Sequence, residues 1–168
     1  FVLSDKNIEE ANLIILVGVK HSGKSTMAKV LSEYLNCDFD DTDTVIEKAY
    51  SKTVRQIYNQ EGKEFFLQAE AEACKKIVDL AKNKKNKLVI ATGGGICDNN
   101  DALAILKDFP KNYFVFLDTE ESVVVQRIIE KSKIQGSYPP YIAKENPQNQ
   151  EDVKRIFHSF YVERCQKY

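Results

Sequence analysis

The sequence predicts an α/β fold with a phosphate loop, a central parallel sheet of four or five strands, helices on both faces and a lid. The first observation is the run Leu13–Val17, which is apolar throughout and fits a strand buried on both faces of a parallel sheet. The second is the sequence GVKHSGKST at residues 18–26, which has the spacing of a loop that wraps around phosphate groups. The third is the alternation of apolar runs with amphipathic stretches along the rest of the chain.

The residue types in the 18–26 loop suit the binding of a nucleoside triphosphate. Its glycines let the backbone turn tightly and point successive N–H groups at phosphate oxygens. Lys24 can reach the β- and γ-phosphates, the Ser25 hydroxyl can bind Mg²⁺, and the following helix contributes its positive end. The alternative is a glycine-rich turn without a ligand. We predict nucleotide binding by Gly18, Ser22, Gly23, Lys24, Ser25 and Thr26.

The remaining elements follow in alternation. The apolar pattern predicts strands over residues 37–39, 87–92 and 113–117, and helices over 25–35, 44–50, 54–60, 64–82, 101–107, 120–131 and 152–166. Residues 132–150 are polar and rich in proline, and a stretch so long and broken favours a functional lid. Because no linker divides the chain, we expect one domain over 1–168, with an acceptor-binding region over about 41–82 and a lid over about 132–150.

Two further clusters follow predicted strands, so we expect them to meet the loop at the carboxyl edge of the sheet. Asp41 and Asp43 are two residues apart, which in an extended segment places them on the same side. One could support the water shell of Mg²⁺ while the other orients an acceptor hydroxyl. The alternative is an acidic turn that caps the next helix. Gly93, Gly94 and Gly95 leave room for a substrate against the backbone, although they too could form a plain turn.

Composition limits the class of protein. The net charge is −1, with 24 Lys and Arg against 25 Asp and Glu, so no global field draws the chain to nucleic acid or to a membrane. No apolar run approaches the roughly 18 residues of a membrane span. The four scattered cysteines form no CxxC pair, which favours reduced, packed thiols over zinc or a disulfide. We expect a cytoplasmic monomer.

The order of these motifs resembles that of shikimate kinases, within the nucleoside-monophosphate-kinase-like phosphate-loop kinases. The resemblance runs from about Ile14 to Tyr161. The matching pieces are GVKHSGKST, FDDTD, VRQIY, EGKEFF with Glu70 beyond it, VIATGGG, and FVFLD with Arg127 beyond it. The resemblance implies transfer of the γ-phosphoryl group of ATP to an alcohol on a small polar ring acid, with shikimate as the default acceptor.

The resemblance also implies roles for individual residues. Lys24 and Ser25 would handle phosphates and Mg²⁺, and Asp41 would support the metal shell. Asp43 would contact the acceptor hydroxyl as base or orienter, and Arg127 would lie near the adenine. The triple glycine would line the acceptor site, and residues 132–150 would close as a lid that excludes water.

The chain departs from the family pattern at three basic positions. Shikimate kinases hold the acceptor carboxylate with arginines that should fall at Leu67 and near Phe157, and a lid arginine that faces the phosphates should fall near Tyr138. A bidentate arginine contact contributes specific geometry that other side chains do not reproduce. Basic residues elsewhere that could compensate are Lys20, Arg55, Lys63, Arg155 and His158. The family fold also has a fifth strand after the segment at Tyr161, so either the sheet has four strands or the C-terminus is truncated.

These observations leave three functions to compare. A small-molecule kinase is favoured because Asp41, Asp43 and the triple glycine provide for an acceptor, which is shikimate or a different hydroxylated metabolite. A catalytically weak nucleotide-binding protein is favoured by the missing lid arginine. A nucleic-acid-dependent ATPase is disfavoured because the chain has no basic stripe.

Overall fold

The computed structural model describes residues 6–83 and 86–168. Within them, four strands form one parallel sheet in the order β2-β3-β1-β4. The strands are β1 (Leu13–Val17), β2 (Asp38–Asp41), β3 (Leu88–Ala91) and β4 (Asn112–Phe116). Ile15 at the centre of β1 pairs with Ile90 of β3 on one side and with Phe114 of β4 on the other. The predicted α/β fold with a parallel sheet is confirmed.

Helices connect the strands and cover the sheet. In the described part of the chain they are α1 (Lys6–Glu10), α2 (Lys24–Tyr34), α3 (Thr42–Tyr50), α4 (Val54–Asn83), α5 (Asn100–Lys107), α6 (Glu121–Gln135), α7 (Pro140–Ala143) and α8 (Gln150–Lys167), with a 3₁₀ turn at Ile96–Asp98. None of these helices combines the length and apolar character needed to cross a membrane.

The core has two layers because successive side chains of β1 point to opposite faces of the sheet. On one face, Leu13 and Ile15 belong to a cluster with residues of α4 and α5. On the other face, Ile14 and Leu16 cluster with Ala28 and other residues of α2. These four side chains of β1 are fully buried, and each contributes about 1.5–3 kcal/mol by leaving water. This burial fixes the strand whose carboxyl end carries the 18–26 loop.

A separate cluster joins α6, α7 and α8 around the fully buried Val124, Ile128, Ile142 and Phe157. Its position explains why residues 132–150 differ from the predicted loop. Helix α6 continues to Gln135 and ends at Gly136, whose φ of +72° suits a left-handed helix end. Helix α7 then forms because Ile142 packs into this cluster. The segment is therefore partly helical and anchored, although it was expected to be irregular.

The predicted helices at 54–60 and 64–82 form the two parts of α4. The break between them lies at Gly62, which has φ +89° and ψ 177°. Only glycine adopts this conformation without strain, so the break has a local cause.

Candidate active site

The 18–26 loop is folded around the ammonium group of Lys24. This side chain is only 7% exposed, and its Nζ donates hydrogen bonds of 2.9 Å to the backbone oxygens of Gly18 and Val19. Burial lowers the pKa of Lys24 to about 8, while Asp43 and Asp41 act in the opposite direction. Lys24 is thus held at the loop by carbonyl groups, from which it can be drawn by a stronger anionic partner such as phosphate.

Asp41 joins the end of β2 to the start of α3. Its Oδ1 accepts from the backbone N–H groups of Asp43 at 3.0 Å and Thr44 at 3.4 Å, so it caps the helix. Its Oδ2 accepts a hydrogen bond of 2.5 Å from the hydroxyl of Ser25. Asp41 therefore caps the helix, as one interpretation of the acidic segment predicted, and its role in the metal shell stays a prediction. A hydroxyl and a carboxylate in contact form an oxygen donor set that fits a hydrated Mg²⁺ ion, so the residues present suit the expected metal.

Asp43 lies in the first turn of α3 and not in an extended segment. The argument that alternation places it beside Asp41 is therefore wrong, because the cap formed by Asp41 starts the helix earlier than expected. The helix still directs Asp43 inward, where its Oδ1 lies 3.1 Å from the position that a Cβ on Gly93 would occupy. Burial and then the charge of Asp41 raise the pKa of Asp43, while Lys20 and Lys24 counteract this.

The triple glycine brings the end of β3 against the phosphate loop. The N–H of Gly93 donates to Oγ1 of Thr42 at 3.0 Å, which ties the glycines to the acidic segment. A Cβ on Gly94 would lie 2.6 Å from the backbone nitrogen of Lys20, so this contact is possible only for glycine. The three clusters singled out in the sequence thus lie together at one edge of the sheet.

Two cavities open at this edge. The first, of about 660 Å³, is called the donor cavity here; Ser22, Gly23, Lys24, Ser25, Thr26 and Arg127 are in its wall. Gly18 is not in the wall but lies at the base of the loop. The second, of about 430 Å³, is called the acceptor cavity; its wall contains Asp43, Gly93, Gly94, Gly95, Glu70 and Arg164. Lys20, Asp43 and Gly94 line both cavities and so mark their boundary.

Arg127 of α6 reaches the donor cavity although most of the helix face around it is exposed. Its Nη1 donates a hydrogen bond of 3.0 Å to the backbone oxygen of His21, whose φ is +68°. Burial and, to a smaller extent, the nearby cations lower the pKa of His21 to about 4, so the imidazole is neutral at physiological pH. The wall of this cavity therefore offers a planar guanidinium and a neutral ring to a ligand.

Four buried side-chain atoms in the described chain have no hydrogen-bond partner, and all belong to the walls of these two cavities. They are His21 Nε2 and Ser22 Oγ in the donor cavity, and Glu70 Oε1 and Tyr141 Oη in the acceptor cavity. A larger depression of about 830 Å³ along α6 contains none of the four. Since an unpaired buried polar group costs about 1–3 kcal/mol, such a set indicates that water or polar ligands pair with these atoms in both cavities.

The three positions where arginines were expected are not basic sites in the structure. Phe157 is fully buried in the α6–α8 cluster, Leu67 is outside the acceptor cavity, and the backbone oxygen of Tyr138 accepts a hydrogen bond of 2.8 Å from Arg55. Of the residues considered as compensation, Lys20 and Arg55 line the acceptor cavity. The others lie on the exposed surface: Lys63, Arg155 and His158.

Arg164 is a basic residue of the acceptor cavity that no motif in the sequence singles out. Its Nη2 forms an ion pair of 2.6 Å with Asp98, its Nη1 donates to Sγ of Cys97 at 3.0 Å, and its guanidinium lies 5.0 Å from the ring centre of Phe160. The side chain is only 15% exposed, so it is fixed in place. A signal was present in the sequence, because Phe157, Phe160 and Arg164 share the inward stripe of a helix.

Glu70 is the second residue whose role was not deduced. It is 1% exposed on α4, and its Oε2 accepts a hydrogen bond of 2.9 Å from Asn99. Burial raises its pKa to about 7, against the opposing effect of that hydrogen bond. A carboxyl at an otherwise apolar inward position of α4, next to Ala69 and one turn before Cys74, is the signal that could have identified it.

Fold and site together define an α/β phosphate-loop protein with a second polar cavity beside the nucleotide site. The sequence model of the shikimate kinase family matches residues 20–167. A shikimate kinase of Clostridium botulinum (strain 657 / Type Ba4) is 34% identical over 120 residues, which is 71% of this chain and 66% of that protein. A bifunctional shikimate kinase/3-dehydroquinate synthase of Thermotoga maritima is also 34% identical over 120 residues, or 71% of this chain and 23% of that protein.

The solved structures agree with the sequence comparisons. A shikimate kinase from Acinetobacter baumannii in complex with shikimate has a TM-score of 0.72 and 25% identity, and the match covers 96% of this chain and 82% of that one. The shikimate kinase of Bacteroides thetaiotaomicron shares the fold with a TM-score of 0.74 at 23% identity, covering 93% and 81%. The chain belongs to the shikimate kinase family, as the motif order suggested. It covers slightly under two thirds of the length of the Clostridium relative.

Proposed function

We propose that this protein transfers the γ-phosphoryl group of ATP, with Mg²⁺, to a hydroxyl group of shikimate. The observation that carries the proposal is the pair of cavities that meet at Lys20, Asp43 and Gly94, each with unsatisfied buried polar atoms in its wall. Membership of the shikimate kinase family and the likeness to a shikimate-bound enzyme support the choice of substrates.

The donor cavity supplies the contacts for ATP. Lys24 exchanges its carbonyl partners for the β- and γ-phosphates, and the loop N–H groups and the start of α2 add positive potential. Ser25 and Asp41 would hold Mg²⁺, which when bound would neutralise charge on the phosphate oxygens. Arg127 is in the wall of the same cavity, and its planar guanidinium is the group proposed to stack on the adenine.

The acceptor cavity supplies the contacts for the ring acid. Apolar walls from Val54, Phe66 and Tyr141 fit the faces of a six-membered ring, and the triple glycine leaves space for its hydroxyl groups. Arg164 provides a fixed cation for the carboxylate, since only two of its five N–H donors are used by Asp98 and Cys97. This arginine lies on α8, about two helical turns beyond the position of Phe157.

Asp43 carries out the proton transfer in this scheme. It lies at the boundary of the two cavities, and its raised pKa makes it a better base than an exposed aspartate. Its carboxylate takes the proton of the acceptor hydroxyl while that oxygen bonds to the γ-phosphorus and the bond from the γ-phosphorus to the leaving ADP oxygen breaks. Residues 132–150 act as the lid that keeps water away from this exchange.

The experiment is a coupled assay for ADP release with ATP and Mg²⁺, using shikimate and a panel of sugars and hydroxy acids as acceptors. We expect turnover with shikimate at about 1–100 per second, and loss of activity in the Lys24→Ala control. Turnover with another acceptor alone would correct the substrate. ATP binding without turnover on any acceptor would overturn the enzymatic function.

A further inference from the structure

Lys20 lies at the boundary between the donor and acceptor cavities. It lines both of them, together with Asp43 and Gly94. Its backbone is pressed against the triple glycine, since the Cβ position of Gly94 is 2.6 Å from the nitrogen of Lys20 and 2.8 Å from its Cα. The contact fixes the base of the Lys20 side chain at the point where the two substrates have to meet.

The ammonium group of Lys20 has no hydrogen bond or ion pair with any residue that the structure describes, although the side chain is partly buried. Asp43, the proposed base, shares both cavity walls with Lys20, and Lys24 shares the wall of the donor cavity with it. The positive charge of Lys20 therefore lies beside the reacting groups, and it can engage a ligand without giving up a partner among the described residues.

Every other Lys and Arg among the described cavity residues lines only one of the two cavities. The donor cavity has Lys24, Arg127 and Lys131, and the acceptor cavity has Arg55, Lys144 and Arg164. Among the described cavity residues, Lys20 is therefore the cation that reaches both substrates without giving up a protein partner.

We propose that Lys20 is a catalytic residue whose ammonium group contacts the γ-phosphoryl group during its transfer. The family pattern has a lid arginine near Tyr138, where this chain has none. Lys20 would supply that positive charge from the phosphate loop. Charge builds up on the phosphoryl oxygens and on the leaving oxygen, so a cation at the boundary stabilises the transition state more than bound ATP. This inference rests on the proposed kinase function.

The test compares Lys20→Met, which keeps most of the side-chain volume, with Lys20→Arg and with Lys29→Met as a matched control. Lys29 is exposed on α2 and lies outside both cavities. With shikimate as acceptor, we expect Lys20→Met to lower kcat at least about 100-fold, Lys20→Arg to recover part of it, and Lys29→Met to match the wild type. The Kd of ATP, measured by calorimetry, should stay near the wild-type value in all variants, and thermal unfolding verifies that each is folded. An unchanged kcat in Lys20→Met would overturn the proposal while leaving the kinase function intact.

A second readout does not depend on the acceptor. ADP, Mg²⁺ and aluminium fluoride form a complex that resembles the transferring phosphoryl group, and its affinity is measured for the wild type and the two Lys20 variants. We expect Lys20→Met to weaken binding of this complex at least about tenfold more than binding of ADP alone. Equal weakening of both would show that Lys20 only binds nucleotide. If the wild type phosphorylates no acceptor, the proposed function fails, and this measurement still decides whether Lys20 contacts the phosphoryl group.

Discussion

Asp43 and Glu70 are two carboxyls of one cavity with different surroundings, since Asp43 is partly buried and Glu70 is fully buried. Burial raises the pKa of both. Lys20 and Lys24 favour the charged form of Asp43, whereas the chief opposing influence on Glu70 is the hydrogen bond from Asn99. We therefore expect Asp43 to be the group that accepts a proton, and Glu70 to retain its own proton below about pH 7 and to act as a hydrogen-bond donor.

The role of Asp43 is tested by Asp43→Asn, which keeps the shape of the side chain but removes the base. We expect ATP affinity to be retained and phosphoryl transfer to fall by about 10²–10⁴-fold, the usual contribution of a general base. Single-turnover kinetics and calorimetry measure the two quantities. The exposed Asp101 of α5 provides the control variant Asp101→Asn. Transfer at the wild-type rate in Asp43→Asn would show that Asp43 only orients the acceptor or has no role in the reaction.

The raised pKa of Glu70 predicts how the free energy of unfolding changes with pH. In the folded protein its pKa is about 7, whereas its ordinary value is 4.5. Between these pH values the folded state binds more protons than the unfolded state, so Glu70 makes the free energy of unfolding fall as pH rises, by about 3 kcal/mol in total. Glu70→Gln should lose this contribution, so that its stability relative to the wild type increases from pH 4.5 to 7.

Denaturant unfolding of both proteins across this pH range measures the difference. Taking the difference is necessary because His21, with its pKa lowered to about 4, makes stability rise with pH over part of the same range in both proteins. Glu64→Gln is the matched control, since Glu64 is exposed on the same helix. A difference that stays constant with pH would show that Glu70 ionises normally.

At the scale of residues, a site can be predicted from the sequence where the spacing of neighbouring residues alone defines its chemistry. The 18–26 loop is an example, because the turn fixes where each of its side chains lies. Asp41 caps α3 with one carboxylate oxygen and contacts Ser25 with the other, so the cap and the predicted metal role, which the sequence offered as alternatives, are compatible. Arg164 and Glu70 were not deduced because their importance depends on elements far apart in the chain, such as the 3₁₀ turn that supplies Asp98.

The contact between the triple glycine and the phosphate loop is a property of two elements. Gly94→Ala would place a Cβ 2.6 Å from backbone atoms of Lys20, and backbone cannot move aside as a flexible side chain can. We expect this variant to lose about 1–3 kcal/mol of stability and to bind ATP more weakly, because the loop is displaced. Gly95→Ala is the stability control, since its nearest atom is Nη1 of Arg164 at 3.9 Å and its φ is −113°. Equal free energies of unfolding for the two variants would contradict the predicted clash.

Helices and strands could be predicted from the sequence where one local cause determines them. The apolar run is the cause for β1, and the conformation that only glycine adopts is the cause for the break at Gly62; both are found near the predicted positions. Helix α7 was not predicted because four residues with two prolines nearby give no periodic signal. Its formation depends on Ile142 packing against α8, which is a tertiary contact. The early start of α3 likewise depends on the cap at Asp41.

On the scale of the whole molecule, three parts of the chain enclose the acceptor cavity. The first turn of α4 contributes Arg55, the 132–150 segment contributes Tyr141, and α8 contributes Phe160. Tyr141 stacks on Phe160 with ring centres 4.3 Å apart, which fastens one side of the segment to α8. On the other side, the hydrogen bond from Arg55 to the Tyr138 oxygen fastens the segment to α4. The proposed lid is thus held at two points across the cavity.

Removing one of these two attachments of the lid should increase ATP hydrolysis relative to phosphoryl transfer to the acceptor. A hydrogen bond from a charged group contributes about 1.5 kcal/mol, so Arg55→Ala should increase the open fraction of the lid on the order of tenfold. Water then reaches the γ-phosphoryl group more often, and we expect the ratio of ATP hydrolysis to acceptor phosphorylation to rise by a similar factor. The ratio is measured by quantifying ADP and phosphorylated acceptor in the same reaction.

Arg155→Ala is the matched control for this experiment, because Arg155 lies on α8 with a side chain 78% exposed and pairs only with Asp152 among the described residues. It should leave the ratio unchanged. If Arg55→Ala instead raises the KM for the acceptor and leaves the ratio at the wild-type value, Arg55 binds the acceptor directly and does not hold the lid. The two outcomes differ because direct binding alters only the occupancy of the acceptor cavity, whereas lid opening alters which nucleophile reaches the phosphoryl group.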